Sequence, residues 1–96
     1  LVKSVCSPEK LLEEAYAIAK KIVGVSPVSI ALTRQMMYRC SAKDHPIDAH
    51  QVDSLSIFYQ SLSSGKEGVS SFLEKRTPKY TDKASSDMPD FYPWWN

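Results

Sequence analysis

Apolar residues first recur with the period of an α-helix in residues 8–23. The dipeptide Ser7-Pro8 predicts a helix start, because a serine hydroxyl can accept a backbone N–H and proline is tolerated at the first helical position. Gly24 is predicted to end this helix. The apolar stripe consists of Leu11, Ala15, Ile18 and Ile22. This period predicts an amphipathic first helix that buries the stripe.

The same signals predict a second and a third helix. Ser26-Pro27 opens a helix that runs to about Cys40, and Pro46 begins a third helix that runs to about Leu62. The turn before the second helix is so short that the first two helices must be neighbours, either antiparallel or sharply crossed. The positions predicted to be buried are Val28, Ala31, Leu32, Met36 and Met37 in the second helix, and Ala49, Val52, Leu55, Tyr59 and Leu62 in the third.

A short fourth helix is predicted after a break at Ser63 and Ser64. The run Ser64-Gly65-Lys66-Glu67 has the form of a capping box, in which the serine and glutamate side chains each satisfy a backbone N–H. The apolar residues of this helix are Val69, Phe72 and Leu73. Four short helices and no strand after Val5 predict an all-α fold over residues 1–80.

Residues 81–96 continue without helical periodicity and are predicted to form an extended tail. The tail ends in four aromatic residues, Phe91, Tyr92, Trp94 and Trp95. Because exposed aromatic clusters favour association, these rings need a surface on which to pack. The sequence leaves open whether the Trp94-Trp95 end packs on its own helices or on another chain.

Composition indicates a soluble domain without nucleic-acid or membrane partners. Hydrophobic residues make up 43% of the chain and charged residues 24%, while the net charge is only +1. That charge provides no overall field that would attract a polyanion, and no apolar run approaches the roughly 20 residues of a membrane helix. We expect a cytoplasmic protein with reduced cysteines at Cys6 and Cys40. The strand-like start "LVKSV" is expected to belong to a longer protein.

Candidate chemistry is sparse. His45 and His50 lack the spacing of two ligands on one helix face, so no metal site is predicted, and no nucleophile motif or phosphate loop is present in the sequence. Three cations near the end of the fourth helix, Lys75, Arg76 and Lys79, have two interpretations. They either interact with the negative end of the helix dipole or form an anion site with Phe72 as an apolar wall.

The sequence also resembles a known family. The run "EGVSSFLEKRTPKY", residues 67–80, resembles the C-terminal signature of the crotonase superfamily, the enoyl-CoA hydratases and isomerases. Residues 1–37 are similar to the segment in which the last core strand of that family leads into a helix and then into a helix that begins with Ser-Pro. The resemblance covers residues 1–80, whereas the ending "DMPDFYPWW" is not a general feature of the family.

The resemblance implies a helical C-terminal region that contributes to oligomerisation and covers the substrate. In the family, an N-terminal spiral domain supplies the oxyanion hole and the acid–base glutamates, so this chain is expected to contain no catalytic residue and no cofactor other than acyl-CoA as substrate. By position, Phe72 would line the substrate cleft and Lys75 would meet the phosphate or adenine end of CoA bound to a neighbouring subunit. The parent protein is expected to hydrate 2-enoyl-CoA and to form a trimer or a dimer of trimers.

Two alternatives of other classes remain open from the sequence. One is an independent helical protein-interaction module whose aromatic tail docks into a partner's groove. The other is a small stand-alone acyl-CoA carrier, which would have to bind CoA measurably by itself.

Overall fold

The computed structural model describes residues 1–95, and in that range it contains four α-helices and no strand. This confirms the predicted all-α class. A single 3₁₀ turn precedes the first helix. The elements are the turn Pro8–Lys10, α1 (Leu11–Val23), α2 (Pro27–Cys40), α3 (Pro46–Leu62) and α4 (Ser64–Leu73).

Proline and a capping side chain together explain where α2 and α3 begin. Ser26 Oγ accepts the N–H of Ser29 at 3.2 Å, and His45 Nδ1 accepts the N–H of Ile47 at 3.1 Å. Each bond satisfies one of the free N–H groups of a first helical turn. The predicted side-chain cap at Ser7 does not form, and a 3₁₀ turn takes its place.

The core lies between α2 and α3, which form an antiparallel hairpin. Ser29 Oγ donates to Gln60 Oε1 at 2.9 Å, and Ser56 Oγ lies 3.8 Å from Met36 Sδ, so residue numbers rise along one helix as they fall along the other. Three hydrophobic side chains of the described helices are buried: Val28, Leu32 and Val52. The predicted burial was wrong for Met37, Leu55 and Leu62, which are exposed.

Helix α1 projects away from this hairpin. The chain changes direction by 107° between α1 and α2, so the sharply crossed alternative is correct. Within residues 1–95, α1 makes no extensive contact with another helix, and Leu11, Ala15 and Ile22 are exposed while Ile18 is half-buried. The predicted stripe is therefore present but has no partner within these residues.

Helix α4 packs against α3 through a close approach of the two backbones. A Cβ atom placed on Gly65 would lie 2.5 Å from the carbonyl oxygen of Gln60, so only glycine fits there without a shift. The predicted capping box was wrong. The helix begins after Ser63 without a side-chain cap, and Glu67 instead binds Arg76.

The tail has no helix and folds back onto the chain that precedes it. The ring of Phe91 lies 5.4 Å from that of Tyr59 in α3, and the guanidinium carbon of Arg39 in α2 lies 3.8 Å from the ring centre of Trp95. This places the described part of the tail on α2 and α3 of the same chain.

None of the individual helices in residues 1–95 has both the length and the apolar character needed to cross a bilayer. Pro8–Val23 and Pro27–Cys40 pass such a test of length and composition only together, as a bent pair.

Candidate functional site

Helix α4 ends in a left-handed turn at Lys75. The backbone φ of Lys75 is 54°, the N–H of Arg76 donates to the carbonyl of Ser71 at 3.0 Å, and the N–H of Lys75 donates to that of Phe72 at 3.3 Å. These two bonds define a Schellman motif, which satisfies carbonyl groups that the helix end leaves free. The motif places Lys75 where the chain leaves the helix, three residues after Phe72.

The three cations at this end do not act alike. Both terminal nitrogens of Arg76 donate to the carboxylate of Glu67, and Arg76 Nε donates to Glu74. Paired hydrogen bonds between a guanidinium and a carboxylate fix orientation as well as charge. Arg76 therefore closes the turn instead of remaining available to a ligand.

The ion pair also changes the titration of Glu67. Hydrogen bonds from Arg76, and then the N–H of Lys79 at 2.7 Å, lower the pKa of Glu67 from 4.5 to about 2. The same pairing, first with Glu67 and then with Glu74, raises the pKa of Arg76. At neutral pH the Glu67 carboxylate is ionised and is a weak proton acceptor.

The side chains of Lys75 and Lys79 form no ion pair within residues 1–95. Lys79 bonds to α4 through its backbone N–H, and among residues 1–95 its ammonium group makes no ion pair. Of the three predicted cations, Arg76 therefore binds Glu67 within the chain, whereas Lys75 and Lys79 are exposed to solvent.

The apolar part of the site is exposed. Phe72 is 82% exposed, Leu73 72% and Val69 61%. An open cleft of about 620 Å³ lies beside Val69, between α3 and α4. Its lining residues are Ile57, Gln60, Ser61, Gly65, Lys66, Val69 and Ser70.

This cleft was not predicted from the sequence. Ile57 lies off the apolar stripe assigned to α3, and that displacement is the one sequence signal of a second apolar face. Phe72 lies in the last turn of the same helix and Lys75 directly follows that helix, as predicted, but neither residue lines the cleft.

A polar network fixes the segment after α4 to the start of α2. Asp82 Oδ2 accepts from Ser26 Oγ at 2.5 Å and from the N–H of Val28 at 3.3 Å. Ser26 Oγ also lies 3.1 Å from Ser64 Oγ, at the start of α4. A carboxylate at a helix N-terminus is stabilised by the free N–H groups and by the helix dipole. Sequence reasoning missed this contact, since 56 residues separate Ser26 from Asp82.

The histidines and cysteines form no further site in the described part of the chain. His45 caps α3, and His50 Nδ1 lies 3.0 Å from Asp53 Oδ2 on the exposed face of that helix. Cys6 and Cys40 are free thiols. No group of three His, Cys, Asp or Glu side chains in residues 1–95 is arranged to hold a metal ion.

Known protein families and sequences resemble this chain over most of its length. The family model described as enoyl-CoA hydratase/isomerase matches residues 1–83. The chain is 40% identical over 83 residues to "Enoyl-CoA hydratase AKT3-2" of Alternaria alternata, covering 83% of this chain and 27% of that protein. It is 31% identical over 81 residues to "Enoyl-CoA hydratase domain-containing protein 3, mitochondrial" of Rattus norvegicus, covering 84% of this chain and 27% of that protein.

A solved structure agrees with the sequence comparison. A probable enoyl-CoA hydratase/isomerase from Mycobacterium abscessus superposes with a TM-score of 0.70 and 29% identity, over 81% of this chain and 30% of that chain. The chain therefore spans less than a third of the length of these relatives. The match ends at residue 83, so it includes Asp82 and leaves out the aromatic tail. Over these residues, the chain belongs to the enoyl-CoA hydratase/isomerase family.

Proposed function

We propose that this chain is the C-terminal helical region of an enoyl-CoA hydratase/isomerase-type protein, where it covers acyl-CoA and takes part in subunit contacts. The parent reaction is the addition of water to a 2-enoyl-CoA, and the chain alone is not catalytic. One observation carries this proposal. Phe72 is almost fully exposed on the last turn of α4, and Lys75 follows it on a left-handed cap with its ammonium group unpaired within residues 1–95.

The two side chains suit different parts of a CoA thioester. An ammonium group is a suitable point charge for phosphate, and a phenyl ring can cover an apolar acyl or pantetheine stretch. The pair formed by Arg76 and Glu67 holds the turn between them in one conformation. A rigid turn lowers the entropy that ligand binding would otherwise cost.

The carboxylates near the site favour a covering role over a catalytic one. Hydration of a conjugated thioester needs an acid–base group and donors that stabilise the developing oxyanion. Glu67 and Glu74 both accept hydrogen bonds from Arg76, and the low pKa of Glu67 makes it a poor base. The residues that perform the chemistry are therefore expected elsewhere in the parent protein.

Exposed apolar surface supports the proposed self-association. The stripe of α1 and the face of α4 around Phe72 and Leu73 are both open in a single chain. Contiguous exposed apolar surface commonly marks a protein–protein contact, and closed symmetric assemblies are the usual result for identical chains. A homo-oligomer in the cytoplasm, a trimer or a dimer of trimers in the parent, remains the proposed state.

Light scattering across a dilution series, combined with titration of free CoA into the 96-residue chain, tests the proposal. We expect an oligomer whose mass depends on concentration, together with very weak CoA binding, because most of the pocket is missing. A strict monomer that binds CoA at micromolar concentration would overturn the proposal in favour of the acyl-CoA carrier. A stable monomer without CoA binding would instead favour the interaction module.

A chimera tests the site residues directly. Residues 1–83 of this chain would replace the matching segment of the full-length Alternaria alternata relative, and hydration of crotonyl-CoA would be followed. If Lys75 meets a CoA phosphate, Lys75→Gln should raise KM about two- to fivefold with little change in kcat, the effect of one exposed charge contact. Lys43→Gln, in the exposed loop before α3, is the matched control. Equal effects of the two substitutions would exclude a specific role for Lys75.

A further inference from the structure

Helix α4 is attached to the rest of the fold with little apolar burial. Its side chains Val69, Phe72 and Leu73 are exposed. Of the described residues 64–73, only Ser71 is buried, and its hydroxyl donates to a carbonyl of the same helix. That bond attaches α4 to no other element, so polar contacts elsewhere have to contribute to holding α4 on the hairpin.

The side-chain amide of Gln60, in α3, joins three helices. Its Oε1 atom accepts the hydroxyl of Ser64, the first residue of α4, at 2.6 Å. The same atom accepts the hydroxyl of Ser29 in α2 at 2.9 Å. A carbonyl oxygen has two lone pairs, so both acceptor positions are used. Gln60 is half-buried, and hydrogen bonds shielded from water are stronger than those on an open surface.

Counting protons assigns the direction of these bonds. Ser26 Oγ and Ser64 Oγ lie 3.1 Å apart, but each serine has one hydroxyl proton to donate. The Ser26 proton goes to Asp82 Oδ2 at 2.5 Å, and the Ser64 proton goes to Gln60 at 2.6 Å. Both bonds are shorter than the contact between the two serines. The hydroxyl of Ser64 therefore ties the start of α4 to α3.

The connection between α3 and α4 makes this tie important for the far end of α4. Only Ser63 separates the two helices, with φ −120° and ψ −120°, so small changes of its dihedral angles tilt α4 against α3. Phe72 lies eight residues beyond Ser64, which is about 12 Å along the helix axis. A tilt of about 10° at the start of α4 would therefore move the Phe72 end by about 2 Å.

We propose that Gln60 is a positioning residue for the acyl-CoA contact. By holding the start of α4 against α2 and α3, it sets the place at which Phe72 and Lys75 meet the ligand. Gln60 acts through α4 and not by touching CoA. This inference rests on the proposed acyl-CoA function, but the attachment of α4 can be measured without any ligand.

Amide hydrogen exchange of the 96-residue chain tests the attachment. Gln60→Leu keeps a side chain of similar size without an acceptor, so exchange of the α4 amides should become about fivefold faster, as expected for one lost hydrogen bond. Amides in the middle of α2 should change little. Gln60→Glu retains an acceptor oxygen and should restore slow exchange. Gln51→Leu, at an exposed position of α3, is the matched control. Wild-type exchange of the α4 amides in Gln60→Leu would overturn the proposal.

Ser64→Ala provides a second test that leaves α3 unaltered. Alanine has the higher helix propensity, so without the bond to Gln60 this substitution would slow exchange in α4. Loss of the donor should instead make exchange faster, by a factor similar to that in Gln60→Leu. Far-UV circular dichroism checks that both variants keep their helix content. Slower exchange in Ser64→Ala would contradict the role of Gln60.

The chimera with the Alternaria alternata relative connects the attachment to the ligand. Gln60→Leu should raise KM for crotonyl-CoA about two- to fivefold with little change in kcat, no more than loss of the Lys75 contact itself. Gln60→Glu should restore KM, and Gln51→Leu should leave both constants unchanged. Because Gln60 acts partly through Lys75, the effects of Gln60→Leu and Lys75→Gln should combine to less than their product.

The two substitutions separate failure of this inference from failure of the proposed function. An effect of Lys75→Gln on KM without one of Gln60→Leu would overturn the positioning role and leave the proposed function standing. No effect of Lys75→Gln would instead contradict the proposed function and with it the positioning role. The exchange rates would still decide whether Gln60 holds α4.

Discussion

The guanidinium of Arg76 donates two hydrogen bonds to the carboxylate of Glu67, nine residues earlier in the chain, and thereby closes the turn that ends α4. Glu67 also accepts the N–H of Lys79, so one carboxylate organises both sides of the turn. A capping role for Glu67 at the start of α4 and this role at its end are mutually exclusive. Glu67 binds Arg76 and does not cap the helix start, because a charged guanidinium that donates two hydrogen bonds binds a carboxylate more strongly than a single backbone N–H does.

The ion pair predicts how stability depends on pH. The pKa of Glu67 is about 2 in the folded chain, below its ordinary value of 4.5, so its contribution is complete above about pH 4.5 and is lost as the pH falls toward 2. The Lys79 amide proton should report this titration by NMR. Urea midpoints of wild type and Glu67→Gln should differ at pH 6 and converge near pH 2.

Glu13→Gln, on the exposed side of α1, serves as the control for removing a carboxylate that has no ion pair among residues 1–95. In Glu13→Gln the acid response of the Lys79 amide should stay as in wild type, because this substitution leaves Glu67 in place. An unchanged acid response of the Lys79 amide in Glu67→Gln would contradict the assignment.

Lys75 occupies a backbone conformation that suits glycine. The left-handed conformation of Lys75, with φ 54°, is sterically strained for a residue with a side chain but not for glycine. Lys75→Gly should therefore raise the free energy of unfolding by about 0.5–1 kcal/mol. Lys75→Val should lower it by about 1 kcal/mol or more, since a β-branched side chain tolerates this region least. Urea denaturation of both variants measures the difference. A Lys75→Gly chain less stable than wild type would mean that the left-handed cap is not formed in solution.

Two glycines offer a matched test of the packing of α3 on α4. In Gly65→Ala the new methyl group meets the Gln60 carbonyl oxygen at 2.5 Å, and the required shift should cost about 1–3 kcal/mol. Nothing lies within 4 Å of the corresponding position at Gly24, so Gly24→Ala should be neutral or stabilising by up to about 1 kcal/mol. Urea midpoints at constant m value give both numbers. Similar losses for the two substitutions would rule out this close approach.

Asp82 should stabilise the start of α2 by direct hydrogen bonds, although 56 residues separate it from Ser26 in the sequence. Asp82→Ala removes the acceptor for Ser26 and Val28 and is expected to cost about 1–2 kcal/mol, as loss of a helix cap does. Asp82→Asn keeps a carbonyl acceptor and should recover part of that loss. Asp90→Ala, at an exposed position, should change stability by less than about 0.5 kcal/mol. Thermal and urea unfolding of the three variants measure these differences. An Asp82→Ala chain as stable as the Asp90→Ala control would mean that Asp82 does not stabilise the start of α2.

The starts of α2 and α3 followed from the sequence because their signals are local. Pro27 and Pro46, together with neighbouring capping residues, set these starts, and the apolar period predicts the helical stretch that follows each proline. The position of Phe72 and Lys75 at the end of α4 was predicted from equally local signals. Each of these signals acts between residues at most four positions apart.

Tertiary structure decided every contact between residues distant in sequence. The partner of Glu67, the cap that Asp82 provides for α2, and the cleft beside Ile57 depend on how helices pack, which periodicity does not specify. The apolar stripe of α1 is readable in the sequence, yet only the 107° change of direction reveals that it stays uncovered within residues 1–95. The sequence determined that the terminal aromatic residues need a surface to pack on. Only the tertiary structure decided that this surface lies on α2 and α3, because the fold brings the ring of Tyr59 and the guanidinium of Arg39 within reach of the tail.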